Sequence, residues 1–192
     1  MIDRALAVLA GQLDEALRLR FSNSTAVAAL GTAPDLSREG AGAVPAQPVT
    51  LTLVRIEEDR TARMQVTVRR RTDEALEELQ PDVKLHLYLL VTAAAKDYAD
   101  SLRYLAAVVG YFQARPVFDH ANTPILDAGI DKLSVELFTQ SFEEQNHLWG
   151  MLALRYVPSV LYRVRLVVIQ ESVVSAINRP ITEVQVTEVS QA

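Results

Sequence analysis

The sequence predicts one α+β domain: about five strands in a single antiparallel or mixed sheet, covered on one face by two long helices. Three observations lead there. Apolar residues recur at three- and four-residue steps near 3–21 and 96–115, the helical period. Two-residue alternation marks strands at 49–58, 83–92, 132–138 and 160–169, with a fifth near 64–69. The connections are too irregular for repeated strand–helix–strand winding, which leaves an antiparallel or mixed sheet.

Taken in order, Ile2, Leu6, Leu9, Leu13, Leu17 and Phe21 form the apolar stripe of the first helix, with Asp3 as its expected N-cap. Residues 22–48 hold three glycines and three prolines among small residues, a composition that cannot build its own core and predicts a long loop or arm. The strand from Val49 ends in Glu57 and Glu58, and Met64, Val66 and Val68 read as the returning half of a hairpin. Residues 73–80 suggest a helical turn stopped by Pro81. In the next strand Leu85, Leu87, Leu89 and Val91 share one face while Tyr88 and Leu90 occupy the other, so both faces are covered and the strand is central. The second helix carries Tyr98, Leu102, Leu105, Val109 and Phe112 at helical spacing and stops at Pro116, with Asp97 and Asp100 as capping residues. A strand with Leu133, Val135 and Leu137 follows, then a short helix over 143–152, a turn at Val157–Pro158 and a strand from Val160 to Ile169. The expected domain spans 1–177, including the arm at 22–48; residues 178–192 form a tail whose alternation suits pairing at a free edge.

A chain of 192 residues with 49% hydrophobic residues can bury a sizeable core, roughly 70% of its unfolded surface. Its net charge of −5 argues against nucleic acid, because phosphate binding rests on clustered cations. Arg69-Arg70-Arg71 is followed at once by Asp73, Glu74, Glu77 and Glu78, a local balance of charge. With no cysteine, thiol catalysis, disulfides and cysteine-bound metals are excluded. No apolar run approaches the ~20 residues that cross a bilayer, and the opening residues do not read as a signal peptide. Of the three histidines, only His147 stands at helical spacing from carboxylates, Glu143 and Glu144. A solvated helix start accounts for that trio better than half a metal site, because glutamates in a first turn complement the helix dipole. Nucleotide-loop, hydrolase-elbow and zinc-protease patterns are missing. The sequence therefore predicts no catalytic residues, no metal and no cofactor. An enzyme using Glu143, Glu144 and His147 stays as a minor alternative.

What remains is apolar material suited either to a core or to protein contact: Tyr98, Tyr104, Tyr111, Phe112 and Phe118 around one helix, then Trp149, Tyr156 and Tyr162. The ordered set "VTLTLVRIEED", "VKLHLYLLVTA", "YADSLRYLAAVVGYFQARPVFD" and "LSVELFTQSFEEQNHLWGMLALRYVPSVLYRVRLVVI" resembles the cap, or tail-terminator, proteins of phage-tail-like contractile injection systems. The antifeeding prophage and related virulence cassettes typify that group. The resemblance runs from Met1 to about Ile169. It implies a tail-terminator-like fold and a structural ring, six-membered in such systems. The ring closes the distal end of the inner tube and sheath and stops their growth. Its implied partners are further copies of itself, the tube protein and the sheath protein, with neither nucleic acid nor membrane. It implies assembly in the cytoplasm as part of a particle open to release. A tube-completion or baseplate adaptor role in the same kind of particle is the alternative.

The matched positions taken as contact candidates are Glu143, Glu144, Asn146, Leu148, Trp149 and Gly150, with Tyr156, Pro158, Tyr162 and Arg163. Some of them are matched because they hold the fold. Alternation sets Tyr162, Val164 and Leu166 on one face of the last strand and Arg163 and Arg165 on the other, so the arginines are expected to meet Glu143 and Glu144 of a neighbouring copy. Gly150 is expected to allow close backbone approach of the Trp149 turn to the sheet. The tail from Pro180 is expected to add a strand to the sheath.

Overall fold

Leucines drive the first element. Ile2–Phe21 form helix α1, and its stripe of Ala5, Leu6, Leu9, Leu13 and Leu17 is buried. The computed structural model describes residues 1–34, 47–59, 68–72, 75–79, 84–168 and 174–178. The expected tail pairing and residues 35–46 of the arm lie outside them. Met1, rather than Asp3, is the cap of α1; Asp3 stands in the first turn, where its carboxylate accepts from the terminal amine at 2.7 Å. The cap thus stands two residues earlier than expected, and Ile2, now inside the helix, packs partly buried against the core.

Two strands follow, β1 (Ala28–Leu30) and β2 (Val49–Glu58), then β3 (Val68–Thr72), β4 (Ala75–Leu79) and β5 (Lys84–Ala93). Helix α2 (Tyr98–Ala114), strands β6 (Val117–Asp119) and β7 (Ile130–Phe138), helix α3 (Phe142–Leu152), β8 (Ser159–Val168) and β9 (Val174–Asn178) complete the chain order. The main sheet has six strands in the order β1-β2-β5-β8-β7-β6, with only β1 and β2 parallel. As expected, β5 is central, held by β2 on one side and β8 on the other.

Four features depart from the sequence reading. The arm opens with a strand: the Asp14 carboxylate accepts from the backbone N–H groups of Val27 and Ala28 at 2.6 and 2.9 Å, which steers β1 alongside β2. Val68, expected to return alongside β2 with Met64 and Val66, instead opens β3, which pairs with β4; Met64 and Val66 lie outside the described residues. Ala75–Leu79, expected to be a helical turn, is a strand because ladders to β3 and β9 on either side outweigh a weak local preference. These three strands make a second sheet, β3-β4-β9, whose register sets Arg69 and Arg70 opposite Glu78 and Glu77. Finally, helices lie on both faces of the main sheet, not on one.

Helices α1 and α2 cover the face that carries Leu51, Leu87, Leu89, Leu133, Val164 and Leu166. At its centre Phe112 of α2 meets Tyr162 at 4.8 Å and Phe118 at 6.4 Å between ring centroids. That aromatic contact fixes the rotation of α2, which buries Ser101, Ala107, Val108 and Phe112. The stripe that marks the helix in sequence is divided by this rotation: Phe112 is buried, Leu105 and Val109 are half-buried, and Tyr98 and Leu102 at its start are 65% and 44% exposed. The opposite sheet face carries Tyr88, Leu90 and Leu161, and α3 covers it through Trp149.

Candidate interaction site

Helix α3 begins with a reciprocal cap. The Ser141 hydroxyl accepts from the Glu144 N–H at 3.2 Å, and the Glu144 carboxylate accepts from the Ser141 N–H at 2.8 Å. Two N–H groups that the first turn leaves without helical partners are satisfied this way. Glu144 is thereby tied to its own helix, while Glu143 stays exposed beside it. The helix ends at Ala153, whose φ of 53° closes the last turn in the left-handed region.

Trp149 is buried, its ring edge-on to Tyr156 at 5.5 Å. Beside it Gly150 faces open space, with nothing within 4 Å of where a Cβ would sit. The expected close backbone approach is therefore not made: the indole, not the glycine, bridges α3 to the sheet. A groove of about 390 Å³ runs along the opposite flank of α3. Val54, Tyr88, Phe138, Leu148 and Leu161 form its apolar wall, and Arg55, Glu144 and His147 stand at its edges. Among the described residues no three His, Asp or Glu side chains converge as a metal site. An apolar wall with a charged edge suits the side chains of another protein.

Beyond the groove the same sheet face carries a charge ladder. The Tyr88 hydroxyl donates to Glu57 at 3.0 Å, and Arg55 reaches Glu57 at 3.3 Å. Burial and the Glu57 carboxylate raise the Tyr88 phenol above its usual range. Arg163 donates to Glu136 at 2.7 Å, and Arg165 lies 3.6 Å from the buried Asp59, which also has His86 at 3.4 Å. Arg163 and Arg165 do lie on the face opposite Tyr162, as the alternation predicts. Each is engaged by a carboxylate of its own chain, whereas the sequence expected them to reach Glu143 and Glu144 of a neighbour.

The expected contact residues thus divide. Glu143, Glu144, Asn146, Leu148, Trp149 and Gly150 share α3, and Tyr156 joins them through the indole. Pro158 is half-buried, and its carbonyl accepts from the Ala93 N–H at 2.9 Å, so it serves the fold. Tyr162 belongs to the core under α2; burial pushes its phenol up to about 12. Sequence reasoning missed Phe142, 92% exposed, and Met151, 66% exposed. Phe142 stands seven residues before Trp149, two turns back on the same helix face, and that spacing was the available signal.

Comparison with known proteins places this geometry. The fold is similar to the sheath/tube terminator of PVC, an extracellular contractile injection system, in the extended state, with a TM-score of 0.62 and 19% identity. That match covers 100% of this chain and 64% of the other. It is also similar to the anti-feeding prophage cap, an AFP tube terminating cap, with a TM-score of 0.53, 15% identity, and coverage of 92% of this chain and 60% of the other. The chain therefore spans less than two thirds of the length of either structural relative. No curated protein sequence matches it. The profile of the Pvc16 N-terminal domain matches residues 6–183. The chain belongs to the Pvc16 N-terminal domain family.

Proposed function

We propose that the protein is a structural cap of a contractile injection system: copies close into a ring at the distal end of the inner tube and sheath and stop both from growing. Its family membership carries this reading, and the likeness in fold to a sheath/tube terminator and a tube terminating cap supports it. Its partners are then further copies of itself, six in the expected ring, together with tube and sheath proteins. Its place is in a particle assembled in the cytoplasm and open to release. A ring needs one surface of each copy to fit a different surface of the next. Neither side of such a contact asks for chemistry, and the role is non-enzymatic.

Electron microscopy of particles from cells lacking the protein tests the reading. Over-long or ragged tubes and sheaths are expected. Particles of normal length, or particles without baseplates, would overturn it, the latter in favour of an adaptor role.

A further inference from the structure

Around β1 the chain passes from one face of the main sheet to the other, and its two ends are buried on opposite sides. Val27 and Ala28 sit in the core beneath α1, on the face that carries Leu51 and Leu87. Ala33 packs in the opposite core with Tyr88, Leu90, Trp149 and Leu161, and Pro34 beside it is buried. Between these ends Leu30, Gly31 and Thr32 are exposed, where the chain rounds the edge of β2.

Each end has its own fastening. At the start the Asp14 carboxylate, 17% exposed and 3.9 Å from Arg18, accepts from the Val27 and Ala28 N–H groups. At the finish Ala33 enters the apolar cluster under α3. The middle has three register pairs with β2, from Ala28 opposite Val49 to Leu30 opposite Leu51. The Val49 N–H donates to the Val27 carbonyl at 2.9 Å and the Gly31 N–H to the Leu51 carbonyl at 3.0 Å. The Thr52 hydroxyl donates to the Gly31 carbonyl at 2.9 Å. A parallel ladder this short returns few hydrogen bonds against the entropy of fixing its backbone. The buried ends are what keep it in place, and neither half has ladder enough to stay ordered once the other leaves.

We infer that residues 27–34 are a strap that closes the β2 edge and opens as one unit, so that freeing either end releases β1 from Val49–Leu51. It is a locally opening segment on a body that stays folded. Closed, the strap ties the α1 side of the sheet to the Trp149 side. Open, it uncovers the backbone groups of β2 at Val49–Leu51, an edge of the kind with which extended segments pair. Asp14 is a positioning residue in this device and acts through β1.

Amide exchange followed by NMR on the full chain tests the unit, with each end cut and the effect read at the other. Asp14→Ala removes a charged acceptor at the start, and exchange of the Gly31 N–H at the far end of β1 is expected to rise about tenfold or more. Ala33→Asp sets a carboxylate where the chain buries a methyl group, and exchange of the Val49 N–H, bonded to Val27, is expected to rise similarly. Amides of the central strands β5 and β8 are expected to keep the parent's rates in both variants. Loosening confined to the altered end would overturn the inference by showing two independent fastenings. An equal rise in β5 and β8 would overturn it too, since β1 would then open only with the whole fold. Should Ala33→Asp fail to fold, the Gly31 rate in Asp14→Ala decides alone. Because the strap lies within one chain, either adverse result leaves the cap reading standing.

Discussion

Arg163 donates to Glu136 at 2.7 Å across the β7–β8 ladder, with the two residues directly opposite in register. The hydrogen bond from Arg163 is the main cause that holds the Glu136 carboxyl below its usual 4.5, against a smaller opposing effect of burial. A carboxyl depressed in the folded state stabilises the fold above its unfolded pKa, and that contribution fades as pH falls through the lower folded value. Glu136→Gln is therefore expected to lower stability at neutral pH and to flatten the acid side of the stability curve below pH 4.5. Both side chains are more than a third exposed, at 36% and 51%, so the loss at pH 7 is expected to be under about 1 kcal/mol and to shrink with added salt. Urea unfolding at several pH values measures it; an unchanged acid limb would contradict the pairing.

The Tyr162 hydroxyl is the reverse case. It is buried with no hydrogen-bond partner, and burial pushes its phenol from 10.0 up to about 12. A raised folded pKa gives stability that is complete below pH 10 and lost as pH climbs towards about 12. Tyr162→Phe removes a buried polar atom without a partner and keeps the ring contact with Phe112. It is expected to be as stable as the parent or more so at pH 7, and to resist alkaline unfolding better. Ultraviolet titration of the tyrosines together with a melt at each pH checks both.

Trp149 is the main anchor of α3, and Ser141 is its cap. Trp149→Ala is expected to cost about 3–5 kcal/mol, since it opens a cavity among Tyr88, Leu90, Val157 and Leu161. Ser141→Ala removes one half of the reciprocal cap and is expected to cost about 1 kcal/mol. If the two losses came out equal under urea, α3 would be held by its cap and not by the indole.

Much of this molecule was legible in the order of its residues. The helix over Ile2–Phe21, the central strand and the inward set of Tyr162, Val164 and Leu166 follow from periods of 3.6 and two, which are local properties of the chain. The site was legible in part: the turn rich in Glu143 and Glu144 does lead a helix that lays Trp149 on the sheet.

Local pattern does not say which neighbour a face will find. Sequence alone determined that α2 is a helix with Tyr98, Leu102, Leu105, Val109 and Phe112 at helical spacing; only packing against Phe118 and Tyr162 decided that Phe112 turns inward beside Val108 and leaves Tyr98 and Leu102 outside. In the same way Ala75–Leu79 became a strand through its ladder to residues about a hundred positions away, and Phe142 stayed exposed although it shares the helix face of Trp149. Burial is a relation between distant parts of a chain, so the tertiary structure alone settles which apolar residues form the core and which stay at the surface.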